Sequence, residues 1–189
     1  MNRIQISLLG RALVAPLAVV AMSSAHAVST VQVVGPAGPL AVDQLFTVDL
    51  SGHDFVAVNG GGLNISFTAG LLELLSVHVD PSWNFFSQPG TIDNASGTLS
   101  ELAFNVWGWP SGHFPIASLQ FQAKAPGAAI ISLAESPNWP FATPNWDTPA
   151  VDYGSYNVTI AGPVPEPAAW LLMLGGLGLV GARAARRLA

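Results

Sequence analysis

Between Val28 and Pro163, apolar and polar residues alternate with a period of two. Phe46, Val48 and Leu50 are set against Thr47 and Asp49, and Leu63, Ile65 and Phe67 against Asn64 and Ser66. Leu102, Phe104 and Val106 oppose Glu101, Ala103 and Asn105, while Ala117, Leu119 and Phe121 oppose Ser118, Gln120 and Gln122. Ile131 and Leu133 continue the pattern, and Tyr156, Val158 and Ile160 close it. Side chains along a strand point to opposite faces in turn, so each run predicts a strand with one buried face. Leu71–Val79 changes phase between Leu74 and Val77, which predicts a bulge near Leu75. Turn chemistry punctuates the runs at Gly35-Pro36, Asn59-Gly60-Gly61, Asp80-Pro81, Ser96-Gly97 and Pro126-Gly127. About eight or nine strands need two packed sheets to bury their apolar faces. Connections too short for helical crossovers favour antiparallel pairing. The expected fold is all-β, an antiparallel β-sandwich over residues 28–161.

Outside this body the pattern gives way to one unbroken apolar run at each end. Arg3 and Arg11 precede the apolar Ala12–Met22, and Ala25-His26-Ala27 supplies an A-x-A cleavage site. Those three features in order predict a signal peptide over residues 1–27, removed by signal peptidase so that the mature chain begins at Val28. Pro16 within the run suits a disposable signal better than a stable helix. At the other end Ala168–Ala182 is a 15-residue uncharged stretch followed by Arg183, Arg186 and Arg187. It is shorter than the roughly 20 residues that span a bilayer comfortably. Local thinning and snorkelling of the arginines allow it to cross the inner membrane as a short helix. The arginines resist translocation, so the body is expected outside and the last residues in the cytoplasm.

Charge sharpens this division. The 189-residue chain carries a formal −5, yet five of its six cationic residues belong to the two ends. Between Val28 and Pro163 a single lysine, Lys124, stands against ten acidic residues, a net charge of −9. Such a body repels phosphate backbones and anionic headgroups, which excludes nucleic acid and anionic lipid as partners. Cysteine is absent, so disulfides and thiol chemistry are absent as well.

The C-terminal order is Val164-Pro165-Glu166-Pro167, an apolar run, then arginines at the extreme end. It resembles the PEP-CTERM sorting signal over residues 162–189. The resemblance implies that a membrane-embedded exosortase of a Gram-negative bacterium recognises Pro165, Glu166 and Pro167 and cuts nearby. The body would then be released or re-attached at the cell surface or in the extracellular matrix. Independently of the resemblance, the two prolines deny this junction a helix and hold it extended for a processing enzyme.

A second resemblance concerns the body. "LAVDQLFTVDLSG", "GGLNISFTAGLLELLSVHV" and "ASLQFQAKAPGAAIISL" are similar to the cohesin pattern of the carbohydrate-binding-domain-like superfamily. The shared residues are core and turn positions, so the resemblance implies a fold. Two departures stand out: Phe67-Thr68-Ala69-Gly70 replaces the usual Tyr-Asp-Pro, and Pro137–Pro149 is rich in Trp and Pro. Dockerin binding is therefore not carried over to any residue.

Candidate chemistry in the body is mainly aromatic. "SPNWPFATPNWD" repeats Pro-Asn-Trp at Trp139 and Trp146, and "VWGWP" sets Trp107 and Trp109 two apart, on one side if extended. Exposed indoles would form a platform for sugar rings, held stiff by the prolines; buried, they would cap the ends of the sandwich. The aspartates are scattered, with no Asp-x-Asp/Asn-x-Asp/Asn-Gly calcium loop. His53-Asp54 and His78-Val79-Asp80 offer too few ligands for zinc, so no metal or other cofactor is expected. Asn-x-Ser/Thr triplets at Asn64, Asn94 and Asn157 carry little weight in a bacterial chain. No G-x-S-x-G occurs, and Glu73, Glu101 and Glu135 are not singled out as a catalytic pair. The sequence thus points to a non-enzymatic exported protein. Its body serves protein interaction or matrix structure, or else binds extracellular polysaccharide through Trp107, Trp109, Trp139 and Trp146.

Overall fold

The alternating runs form strands of two sheets packed face to face. The computed structural model describes residues 28–162 and, in the tail, the helical positions Met173, Leu174, Gly176, Leu177 and Arg183. The signal region with Ala25 and Ala27, the Pro165-Glu166-Pro167 motif, Arg186 and Arg187 lie outside the described residues. Among the described residues no helix is long and apolar enough to cross a membrane, and most of the expected tail helix falls outside them.

The strands run β1 (Ser29–Val34), β2 (Leu40–Ala41), β3 (Leu45–Phe55), β4 (Gly60–Phe67), β5 (Leu72–Val79) and β6 (Phe86–Gln88). They continue as β7 (Thr91–Asp93), β8 (Thr98–Asn105), β9 (Gly112–Ala123), β10 (Gly127–Glu135), β11 (Val151–Tyr153) and β12 (Ser155–Ala161). One sheet has the order β11-β1-β3-β9-β5; the other runs β2-β12-β10-β4-β8-β6, with β7 also paired to β8. The four strands of three residues or fewer, β2, β6, β7 and β11, are too short to show a period in the sequence. The phase change in β5 is a bulge at Leu75: Leu74 pairs with Phe121 and Ser76 with Gln120, leaving Leu75 unpaired.

Pairing departs from the antiparallel expectation at the chain ends. β1 lies parallel to β11, and β2 parallel to β12. Strands this far apart in sequence need no crossover between them, so the constraint that disfavours parallel neighbours does not apply. The N-terminal and C-terminal segments thereby each place one strand in either sheet.

Inward positions build one continuous core, including Val48, Leu50, Leu63, Ile65, Leu102, Leu119, Phe121 and Ile131. One end of the sandwich, here the apex, gathers Val28 and the loops 56–59, 80–85, 106–111 and 136–150. The opposite end, the base, holds the loops 35–39, 68–71 and 124–126 together with Gly162, where the described body ends. Under the apex, Phe55, Trp83, Phe104, Phe114 and Phe141 form an aromatic cluster with ring centroids 4.7–5.7 Å apart. Such edge and tilted contacts add to the gain from burial alone.

An aromatic apex as candidate functional site

Three turns at the apex share one pattern: a short polar residue, Pro, a second polar residue, then Trp. They are Asp80-Pro81-Ser82-Trp83, Ser136-Pro137-Asn138-Trp139 and Thr143-Pro144-Asn145-Trp146. In each the Trp backbone N–H donates to the carbonyl of the first residue, at 3.1, 3.1 and 2.9 Å. Proline presets the backbone angle that the second turn position needs, and the short polar side chains tie the turn further. Ser82 N–H donates to Asp80 Oδ1 at 2.9 Å, and Asp147 N–H to Thr143 Oγ1 at 3.2 Å.

The same turn serves two ends. Trp83 is only 3% exposed, packed on Phe104 and Phe114, and its Nε1–H donates to the Pro115 carbonyl at 2.9 Å. Trp139 and Trp146 point outward, 39% and 77% exposed. Trp146 also sits at φ 65°, a left-handed conformation that a bulky side chain normally avoids. Thr143 N–H donates to the Asp147 carbonyl at 3.0 Å and so closes the turn around this residue.

The loop bearing these tryptophans is pinned to the sheet through three glycines. Asn59-Gly60-Gly61 reads as a turn in the sequence, yet β4 begins at Gly60, and Gly60, Gly61 and Gly62 are all buried. Gly60 pairs with Ala142 in an isolated bridge, and Ser136 N–H donates to the Gly62 carbonyl at 3.0 Å. A Cβ on Gly61 would stand 2.7 Å from the Phe141 ring, and one on Gly62 2.6 Å from Trp139 Cβ. Phe141 is fully buried between these anchor points. The glycines are bare because the loop lies directly on them, and this close approach is what the turn reading missed.

Trp107 and Trp109, 78% and 45% exposed, sit in the loop 106–111 and not on a strand. The expectation of a shared side, which assumed extended backbone, therefore has no basis here. Trp107 packs on Phe85 with centroids 4.4 Å apart, whereas Trp109 lines an apolar pocket of about 360 Å³ with Trp83, Val106, Pro110 and Phe114. Trp139 stacks on Phe86 at 5.2 Å and 27°. The adjacent phenylalanines Phe85 and Phe86, each supporting one indole, went unmarked in the sequence because neither belongs to a repeat.

The carboxylates are engaged separately. Glu73 pairs with Lys124 at 3.0 Å on the other sheet. Glu101, at φ 63° in the bulge opposite Asn64, accepts from Ser136 Oγ at 3.0 Å, and Glu135 accepts from the Phe141 N–H at 3.2 Å. The last two thus fasten the loop. Burial, and secondarily the charge of Glu135, raises the pKa of Tyr153, whose hydroxyl is buried without a partner. Among the described residues no group of three or more His, Asp and Glu is placed to hold a metal ion. His53 meets His113 on the neighbouring strand, and His113 lines one pocket together with Asp49, Ser51, His78 and Asp80.

Comparison with known proteins divides along the same boundary as the sequence. Residues 163–187 match the PEP-CTERM protein-sorting motif. No match is found among curated proteins. The body is similar to a cohesin module from a family 33 glycoside hydrolase of Clostridium perfringens, at 13% identity and a TM-score of 0.60 over 72% of this chain and 98% of that one. A non-cellulosomal cohesin from Archaeoglobus fulgidus gives 13% and 0.54 over 76% and 96%. A type I cohesin from Pseudobacteroides cellulosolvens gives 17% and 0.53 over 74% and 96%. At these identities the likeness concerns the fold. The chain joins a cohesin-like β-sandwich to a PEP-CTERM tail, the mark of an exported protein sorted by exosortase.

Proposed function

We propose that the protein is cut by exosortase near Pro165–Pro167 and displayed at the cell surface or in the extracellular matrix as a non-catalytic interaction module. The apex is its binding end. The observation that carries this reading is the exposure of Trp107, Trp109, Trp139 and Trp146 on turns tied to the core. Large apolar rings left in water cost free energy, and rigid anchors lose little entropy when a partner covers them.

A protein of the matrix is the first reading for the partner. A polysaccharide is the second, favoured by Trp107 and Trp146, more than three-quarters exposed and free to stack on sugar rings. Retention of the secreted chain on matrix from the producing cells tests both. Trp107→Ala/Trp146→Ala should abolish retention with the melting temperature unchanged. Protease treatment of the matrix removes binding if the partner is protein, and periodate removes it if the partner is polysaccharide. Full retention of the double variant refutes the assignment of the apex.

A further inference from the structure

We infer that the apex partner is a basic protein segment, which docks an apolar side chain and a neighbouring lysine or arginine on either side of one turn. The inference rests on the reading of the apex as the binding end. The turn is Asp80-Pro81-Ser82-Trp83, and its residues serve two recesses. Ser82 and Trp83 line the apolar pocket of about 360 Å³, whereas Asp80 lines a polar one of about 290 Å³. β9 repeats this division, because successive side chains of a strand point to opposite faces. Phe114 turns into the apolar pocket, and His113 and Pro115 line the polar one. Asp80 and Ser82 are separated by at most about 7 Å of chain, so a segment crossing the turn needs its apolar and basic side chains only about two or three residues apart.

Both recesses are formed in advance. Buried Trp83 and Phe114 floor the apolar pocket, and half-exposed Trp109 walls it with Val106 and Pro110. A rigid aromatic pocket open to water suits the anchor side chain of a protein partner. On the neighbouring sheet face Asp49, Ser118 and His78 lie in register across β3, β9 and β5. Asp49 Oδ1 accepts from Ser118 Oγ at 2.6 Å, and Asp80 Oδ1 from the Ser82 N–H at 2.9 Å. These bonds fix both carboxylates, and the second oxygen of each has no partner among the described residues. The single lysine of the body, Lys124, stands at the base, paired with Glu73. A basic side chain from the partner is therefore the electrostatic complement of the polar recess. The same charge repels an acidic polysaccharide. The hydroxyls of a neutral one would meet only Ser82 and the Trp109 indole N–H among the unengaged side-chain groups of the apolar pocket.

The test is retention of the secreted chain, with matrix from the producing cells as the probe. Asp49→Asn/Asp80→Asn keeps both accepting oxygens and removes two charges, and should lower retention about 10-fold or more at low salt. Asp43→Asn/Asp93→Asn makes the same change in charge at the base and should leave retention unchanged. Gly108 lines the apolar pocket, and a Cβ there meets nothing within 4 Å. Gly108→Leu should therefore narrow the pocket without altering the melting temperature, and lower retention about 10-fold at low and high salt alike. Acetylating the lysines of the matrix and blocking its arginines with phenylglyoxal should together abolish binding of the original chain. The inference is overturned by retention that survives both blocks, by equal retention of the two Asp pairs, or by loss to periodate and not to protease. Trp107→Ala/Trp146→Ala distinguishes the two levels of the reading. If that variant loses retention while Asp49→Asn/Asp80→Asn does not, the apex still binds and only the chemistry of its partner falls. If it is retained in full, both fall.

Discussion

Changing Gly61 and Phe141 singly and together tests whether the tryptophan loop is held by a ring seated on bare backbone. Phe141 is fully buried, with centroids 5.0 Å from Phe55 and 5.7 Å from Phe104. Truncating such a residue to Ala costs about 3–5 kcal/mol. For a body of this size that lowers the melting temperature by roughly 10–20 °C. Gly61→Ala would place a Cβ 2.7, 2.8 and 2.9 Å from three atoms of the same ring. Overpacking of this kind costs about 1–3 kcal/mol. All three close atoms belong to Phe141, so the clash vanishes once the ring is gone. Gly61→Ala should then be neutral in the Phe141→Ala background, or slightly stabilising because the unfolded chain loses freedom. The double variant should therefore be about 1–3 kcal/mol more stable than the sum of the single effects. Urea denaturation of the secreted chain reads this from the midpoints, provided the slope is common to all four proteins. Additivity within about 0.5 kcal/mol would show that ring and backbone are not in contact, and the pinned-loop account would fail.

Three further outcomes follow from other parts of the molecule. Trp146→Gly should relieve left-handed strain worth about 1–2 kcal/mol and raise the urea midpoint, while retention on the matrix falls. A lowered midpoint with unchanged retention would contradict both halves. Because the folded chain raises the pKa of Tyr153, its contribution to stability is intact below the ordinary tyrosine value near pH 10 and is lost as pH rises above it. Tyr153→Phe should flatten that alkaline loss and cost little at neutral pH, since the hydroxyl has no partner. Intact mass spectrometry of the recovered protein should give a chain starting at Val28 and ending before Ala168, whereas Glu166→Ala should retain the tail; identical masses would remove Glu166 from the sorting motif.

The strands that carry the core were legible because half-buried β-structure repeats every two residues. Even the extra residue at Leu75 announced itself as a break in phase. The apex was harder to read for a specific reason. Phe141 and Trp146 sit in similar proline-rich surroundings five residues apart, yet one is fully buried and the other 77% exposed. Local composition cannot separate them, because the difference lies in the strand beneath: Gly61 gives Phe141 room to enter the core, and nothing of the kind receives Trp146. The same long-range contact explains why Gly60 and Gly61 resembled a turn. The parallel pairs β1–β11 and β2–β12 join residues more than a hundred positions apart and leave no local signature.

The two poles of the sandwich are differently employed. β12 runs toward the base and ends at Ala161, so the polypeptide departs for its hydrophobic tail from the pole opposite the indoles. The twelve residues of β9 between those poles span roughly 35–40 Å. A tethered molecule would carry its canopy of aromatic rings on the pole away from the point where the tail begins. Severing the tail leaves that canopy intact, so the same contact is available to a standing molecule and to a drifting one.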